Sequence, residues 1–185
     1  VGFKTGFHTD ASTDGDSCVL YGAYTHTNGA SVNTAHGFGY DLSCSSNYTT
    51  LGAAGDDIRA AHGNVTWATV SDERSKKDIV DSTAGLSFIN ALKPRTFKYK
   101  NLGELPSTFN AYEADSSVAF KNSNTNHGFI AQEVKAAIDA DSSIKDGFKM
   151  WDDRPDGSQE VGEAALIPVL VKAIQELSAE IEILK

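Results

Sequence analysis

Ser71-Asp72-Glu73-Arg74-Ser75-Lys76-Lys77-Asp78-Ile79 is the stretch of this chain whose residue types could do chemistry. A serine hydroxyl can cut a peptide when a base takes its proton and the forming oxyanion is held. No Ser-His-Asp arrangement and no Gly-x-Ser-x-Gly turn is visible. A lysine can replace histidine if its pKa falls from ~10.4 towards neutrality through burial or nearby cations. Lys76 lies five residues after Ser71, beyond an expected turn, with Arg74 and Lys77 as neighbouring positive charge. Burial beside a dimer or trimer interface would supply the desolvation. Asp72 and Glu73 are expected to hold the turn or to orient Lys76. On spacing alone the run reads as a solvated charged turn, because Ser and Lys at that separation are common.

The elements that must carry these residues change character at the same place. Residues 1–70 hold 10 of the 16 glycines but only two basic side chains, Lys4 and Arg59; the other 14 Lys and Arg follow. With 185 residues and a 40% hydrophobic fraction the chain can bury a core, as one large domain or two small ones. A net charge of −9 argues against a nucleic-acid partner, which would need clustered Lys and Arg. No apolar run approaches the ~18 residues of a membrane span, and no signal peptide opens the chain. The start at Val1 reads as a fragment of something longer. Cys18 and Cys44 stand alone, without CxxC or metal spacing, and read as two reduced thiols. His8, His26, His36 and His62 read as surface or turn histidines, so neither a metal nor another cofactor is expected.

Gly15, Gly22, Gly29 and Gly37 recur every seven or eight residues between short β-type runs, which predicts strands joined by tight turns. Large aliphatics are too sparse there for an independent core. Several copies wrapped around each other would share what they bury. Val65–Val70, β-branched and aromatic, predicts a strand running into Ser71. Asp81-Ser82-Thr83 predicts the N-cap of a short helix that stops near Pro94. Thr96–Lys100 alternates like a half-buried strand, and residues 101–126 read as a long loop or arm. His127–Val134 predicts a strand turning into a helix that ends near 139–142, and Pro155-Asp156-Gly157 a turn.

The best pattern closes the chain. Ile167, Leu170, Ile174, Leu177, Ile181 and Leu184 make a heptad seam in a helix over about 163–185, with Pro168 in its first turn. The seam is expected to bury against partner helices rather than against its own body. Ile at one core position and Leu at the other leans towards two strands.

The run Ser71–Ile79 resembles the signature of the intramolecular chaperone auto-processing domain that closes phage endosialidases, tail spikes and tail fibres. Further likenesses are Leu92-Lys93-Pro94 with Phe97-Lys98-Tyr99, then Gly128-Phe129-Ile130-Ala131-Gln132-Glu133-Val134, then Leu170–Leu177. They stand in family order over residues 71–185, and together they are specific. The resemblance implies an α+β architecture: residues 1–70 as the end of an intertwined trimeric Gly- and Asn-rich β stalk, residues 71–185 as the mixed α/β chaperone domain. The terminal helix would pack in a trimeric bundle.

The resemblance further implies a homotrimer with its own upstream stalk as folding client, assembled in the host cytoplasm and ending in a virion tail fibre or spike. A host-surface glycan would be the partner of the region upstream. By position Ser71 is the catalytic serine, Lys76 its basic partner and Ser71–Asp72 the bond cut, with Glu73 and Arg74 supporting. Attack by Ser71 on its own carbonyl would close a four-membered ring. Attack on the Val70 carbonyl would cut before Ser71, whereas a neighbouring chain's serine or an activated water avoids both problems. Two rival readings are an uncleaved receptor- or glycan-binding fibre tip and a Ser/Lys hydrolase acting on other molecules.

Overall fold

The computed structural model describes residues 18–29, 31–145 and 147–185. It divides into two compact units, the first reaching Ile79 and the second spanning Val80–Lys185. The division falls after the Ser71–Ile79 run. Ala68 exchanges both backbone hydrogen bonds with Arg59 at 2.8 Å, which ties this part of the chain to the first unit.

In the first unit the chain stacks on itself. Its strands are β1 (Val19–Tyr21), β2 (His26–Thr27), β3 (His36–Tyr40), β4 (Ser43–Cys44), β5 (Tyr48–Ala53) and β6 (Asp56–Ala61). β1, β3 and β5 pair in parallel and β6 closes the sheet antiparallel to β5; β2 and β4 pair in parallel as a second sheet. Val19 faces His36 and His26 faces Ser43, each 17 residues on; His36 faces Thr49, 13 residues on. Successive coils therefore bury what one coil cannot.

The corners recur at matching coil positions. Gly22, Gly39 and Gly52 have φ of 123°, 158° and 137°, and Tyr24, Asp41 and Ala54 follow in the left-handed region. A Cβ on Gly22 would run into the Gly39 carbonyl oxygen, and one on Gly39 into that of Gly52, so close stacking also demands glycine. Val32, Ala35, Leu42 and Cys44 form the small core, with Leu20 and Cys18 packed on it. Both cysteines carry free thiols, and burial pushes that of Cys44 up.

This arrangement bears out one expectation and corrects another. Tight turns join β4 to β5, where the Tyr48 N–H donates to Ser45 O at 3.3 Å, and β5 to β6. The spacing of seven or eight residues is not the structural period. Unequal coils of 17 and 13 residues hide the repeat. Val65–Val70 is no strand either: Ala68 bridges Arg59 and the Thr69 hydroxyl donates to Asp57 O at 2.9 Å, both in β6, but no ladder forms. Val65, Trp67 and Val70 stay exposed.

The second unit contains α1 (Leu86–Ala91), β7 (Arg95–Phe97), β8 (Asn126–Gly128), α2 (Ala131–Ala140), β9 (Trp151–Asp153), β10 (Gln159–Val161) and α3 (Leu166–Ile183). A 3-10 turn at Glu163–Ala165 leads into α3. β7 pairs antiparallel with β8, and β9 and β10 form a hairpin around the turn that the Pro-Asp-Gly signal predicts. The core gathers Phe88 from α1, Val134 and Ile138 from α2, Leu166 and Val169 from α3, and Met150. Phe148 meets Phe88 edge to face at 5.7 Å. The unit is mixed α/β with a C-terminal helix, as expected.

The cap of α1 differs from the expectation. Asp81-Ser82-Thr83 lies before it, but the N-cap residue is Gly85, which has no side chain to offer. Glu176 of α3 accepts from the Leu86 N–H at 2.7 Å instead. A carboxylate at a helix start satisfies an orphan donor and the end of the dipole together. Any Cβ on Gly85 would strike that carboxylate.

α3 carries two apolar stripes. Leu166, Val169 and Ala173 are buried, while Ile167, Leu170, Ile174, Leu177, Ile181 and Leu184 are all exposed. The unit's own body leaves the heptad seam uncovered.

Residues 101–126 are a closed loop rather than an arm. Its base is clamped by Leu102 N–H to Val118 O at 2.8 Å and Phe120 N–H to Lys100 O at 2.9 Å. Farther out, the Asn110 N–H donates to Asp156 Oδ2 at 3.0 Å. The Ser158 hydroxyl, then the Asn110 and Ser158 amides, pull the Asp156 carboxyl down from 3.8 to about 2. A depressed carboxyl contributes stability that is present above its unfolded value and lost as pH falls through the folded one. The loop tether should accordingly weaken between about pH 4 and about pH 2. Amide exchange at Asn110 should accelerate over that window relative to the intrinsic rate. In Asp156→Ala it should be fast and lack that step.

Candidate functional site at the Ser71–Lys76 junction

The run that the sequence singles out forms one compact turn. Asp72 caps a 3-10 helix at Glu73–Ser75, its Oδ1 accepting from the Arg74 N–H at 2.8 Å. The Arg74 guanidinium grips the same carboxylate, Nε to Oδ1 at 2.9 Å and Nη2 to Oδ2 at 2.7 Å. The guanidinium, helped by the backbone N–H, holds the Asp72 carboxyl below its usual range. The Ser75 hydroxyl donates to Asp72 O at 2.7 Å and the Lys76 N–H to Glu73 O at 2.9 Å. These bonds curl the backbone so that Lys76 returns towards its start. Asp78, in the left-handed region at φ 54°, then redirects the chain.

The result is a direct contact. Lys76 Nζ donates to Ser71 Oγ at 2.6 Å. Of the other expected site residues, Asp72 forms the turn's cap and Glu73 supplies a backbone carbonyl. Arg74, expected to lend positive charge to Lys76, is instead paired with Asp72, so its charge is largely neutralised locally. No group of three or more His, Cys, Asp or Glu gathers as a metal site among the described residues. No described helix is long and apolar enough to cross a membrane.

Every residue from 62 to 83 is exposed in the single chain, Ser71 and Lys76 included. Ordinary lysine is protonated near neutrality, and an ammonium donates but takes no proton. Work as a base needs water removed from around the amine. Val65, Trp67 and Val70 before the turn, and Ile79 and Val80 after it, are exposed apolar side chains that a covering surface would meet. Spacing and type make Ser71 and Lys76 legible in sequence. The capping role of Glu176, contributed from 90 residues away, has no local signal.

A hydroxyl held against an amine thus closes the first unit, and a mixed α/β unit follows it in the chain. Residues 71–142 match the model of the chaperone of endosialidase family, which is by name also a peptidase family. The match begins at Ser71, covers less than half of the chain and supports a chaperone role for this segment. Searches of curated proteins and of solved structures return no match.

Proposed function

We propose that this chain is the end of a phage tail fibre or spike together with the chaperone that folds it, and that the chaperone cuts itself away between Ser71 and Asp72. The observation that carries this reading is the 2.6 Å contact of Lys76 Nζ with Ser71 Oγ, at the first residue of the matched segment. Three copies assemble through the exposed seam of α3. Assembly covers the apolar flanks of the junction, dries the amine and lets it work as a base.

The overall step is hydrolysis. The C–N bond of Ser71–Asp72 breaks, a hydroxyl ends on the Ser71 carbonyl carbon and a proton on the Asp72 amine. A four-membered ring bars Ser71 from its own carbonyl. The attacking oxygen is a water or a neighbouring chain's serine hydroxyl, with Lys76 taking its proton and passing one to the leaving amine. No cofactor enters.

The physical purpose is kinetic. Parallel coils paired at separations of 13 and 17 residues have few local contacts, so they nucleate slowly. A trimerising domain holds three such segments at high effective concentration. Its removal leaves a product that cannot retrace its folding path, and its durability becomes a matter of rate.

Intact-mass spectrometry of freshly assembled protein tests the reading. The wild type should yield fragments 1–71 and 72–185, and Ser71→Ala a single full-length mass. Equal processing of both would remove the serine from the mechanism.

A further inference from the structure

Lys76 rests on a hydroxyl in a run that also holds three carboxylates, those of Asp72, Glu73 and Asp78. An ammonium gains more from a carboxylate than from a neutral oxygen, because charge-assisted bonds are roughly twice as strong. Asp72 follows Ser71 directly, so its carboxylate is the nearest rival to the hydroxyl along the backbone. Yet Lys76 makes no ion pair among the described residues, and the Ser71 hydroxyl is the one partner of its side chain.

The grip of Arg74 accounts for this. Asp72 Oδ1 accepts from the Arg74 N–H at 2.8 Å and from Nε at 2.9 Å, and Oδ2 accepts from Nη2 at 2.7 Å. A single residue supplies all three bonds, and its planar fork fixes the direction of the carboxylate as a lysine could not. The two side chains are 90% and 43% exposed, Arg74 first, and a surface ion pair of this kind adds little stability. Its effect is on what Asp72 can reach.

We propose that Arg74 is a positioning residue for the cut: it holds the Asp72 carboxylate away from Lys76 and thereby leaves the amine on the Ser71 hydroxyl. The proposal rests on the self-cutting reading above and adds a residue that acts through Asp72 rather than on the reacting atoms. Without the guanidinium, the Asp72 side chain is free to turn and take the amine. A lysine drawn onto a carboxylate is displaced from the serine and kept in its charged form, which accepts no proton.

The test compares wild type with three variants of the full chain: Arg74→Ala alone, with Asp72→Asn, and with Glu73→Gln. Asparagine keeps the oxygen that caps the turn and removes the charge. Sedimentation checks the assembly of each variant, and time courses on denaturing gels read cutting. Arg74→Ala should slow cutting by about tenfold or more, part of the ~10²–10⁴-fold that a general base supplies. Adding Asp72→Asn should recover most of that loss, whereas adding Glu73→Gln should recover none. A double variant with Asp72→Asn that cuts as slowly as Arg74→Ala would mean that the ion pair merely holds the turn, and would overturn the proposal. Equal recovery with Glu73→Gln would reduce the effect to net charge and overturn it too, as would wild-type cutting by Arg74→Ala or its failure to assemble. A wild type that stays whole removes the self-cutting reading itself, and this proposal with it.

Discussion

Lys76→Arg should stop cutting at Ser71–Asp72 as completely as Lys76→Ala does. Arginine keeps the positive charge and much of the reach, yet stays protonated at any ordinary pH and cannot act as a base. A general base contributes about 10²–10⁴-fold, and either substitution should slow fragment appearance by that order. The turn should survive both, because its bonds run through Asp72, Arg74, Ser75 and the Lys76 backbone N–H rather than the lysine side chain. Time courses on denaturing gels read the effect. Wild-type cutting by Lys76→Arg would leave the lysine as a mere neighbour of the serine.

Ile174→Lys should abolish assembly and, with it, cutting, although residue 174 lies far along the chain from the scissile bond. Ile174 is 65% exposed on α3, on the stripe beside that of Leu166, Val169 and Ala173. In the isolated unit the substitution touches little, and surface changes of that kind stay within about 0.5 kcal/mol. In a seam shared by three helices it removes ~2 kcal/mol of burial per chain, ~6 kcal/mol in all, before any cost of confining three ammonium groups. That alone lowers association by over ~10⁴-fold, at 1.4 kcal/mol per factor of ten. Sedimentation should show a folded monomer, and the gel an uncut chain. A folded monomer that still cuts at the wild-type rate would separate cutting from assembly and place the drying of Lys76 within one chain.

The link between these two results is solvent. A lone chain already brings hydroxyl and amine together, yet leaves both in water. Contact is therefore a local property of the turn, whereas reactivity depends on what covers Val65, Trp67, Val70, Ile79 and Val80. On the proposed reading, a site assembled in that order would stay silent until three chains had met, which would suit a cut that must follow folding.

Legibility in the sequence followed the range of the forces involved. The turn at Ser71–Lys76, the turn between β9 and β10, the β8-to-α2 segment and the heptad of α3 were all readable. Each is set by neighbours within one or two turns of chain: a capping carboxylate, a Pro-Asp-Gly corner, an apolar period. Tertiary structure alone decided the parallel coils, because their partners lie 13 or 17 residues apart and the unequal lengths blur any period. It also moved the cap of α1 from the preceding Asp-Ser-Thr to Glu176, a carboxylate brought in by packing across 90 residues. The same packing decided which stripe of α3 is spent on the body and which is left exposed, since both stripes are apolar and only contact with α1 and the core tells them apart.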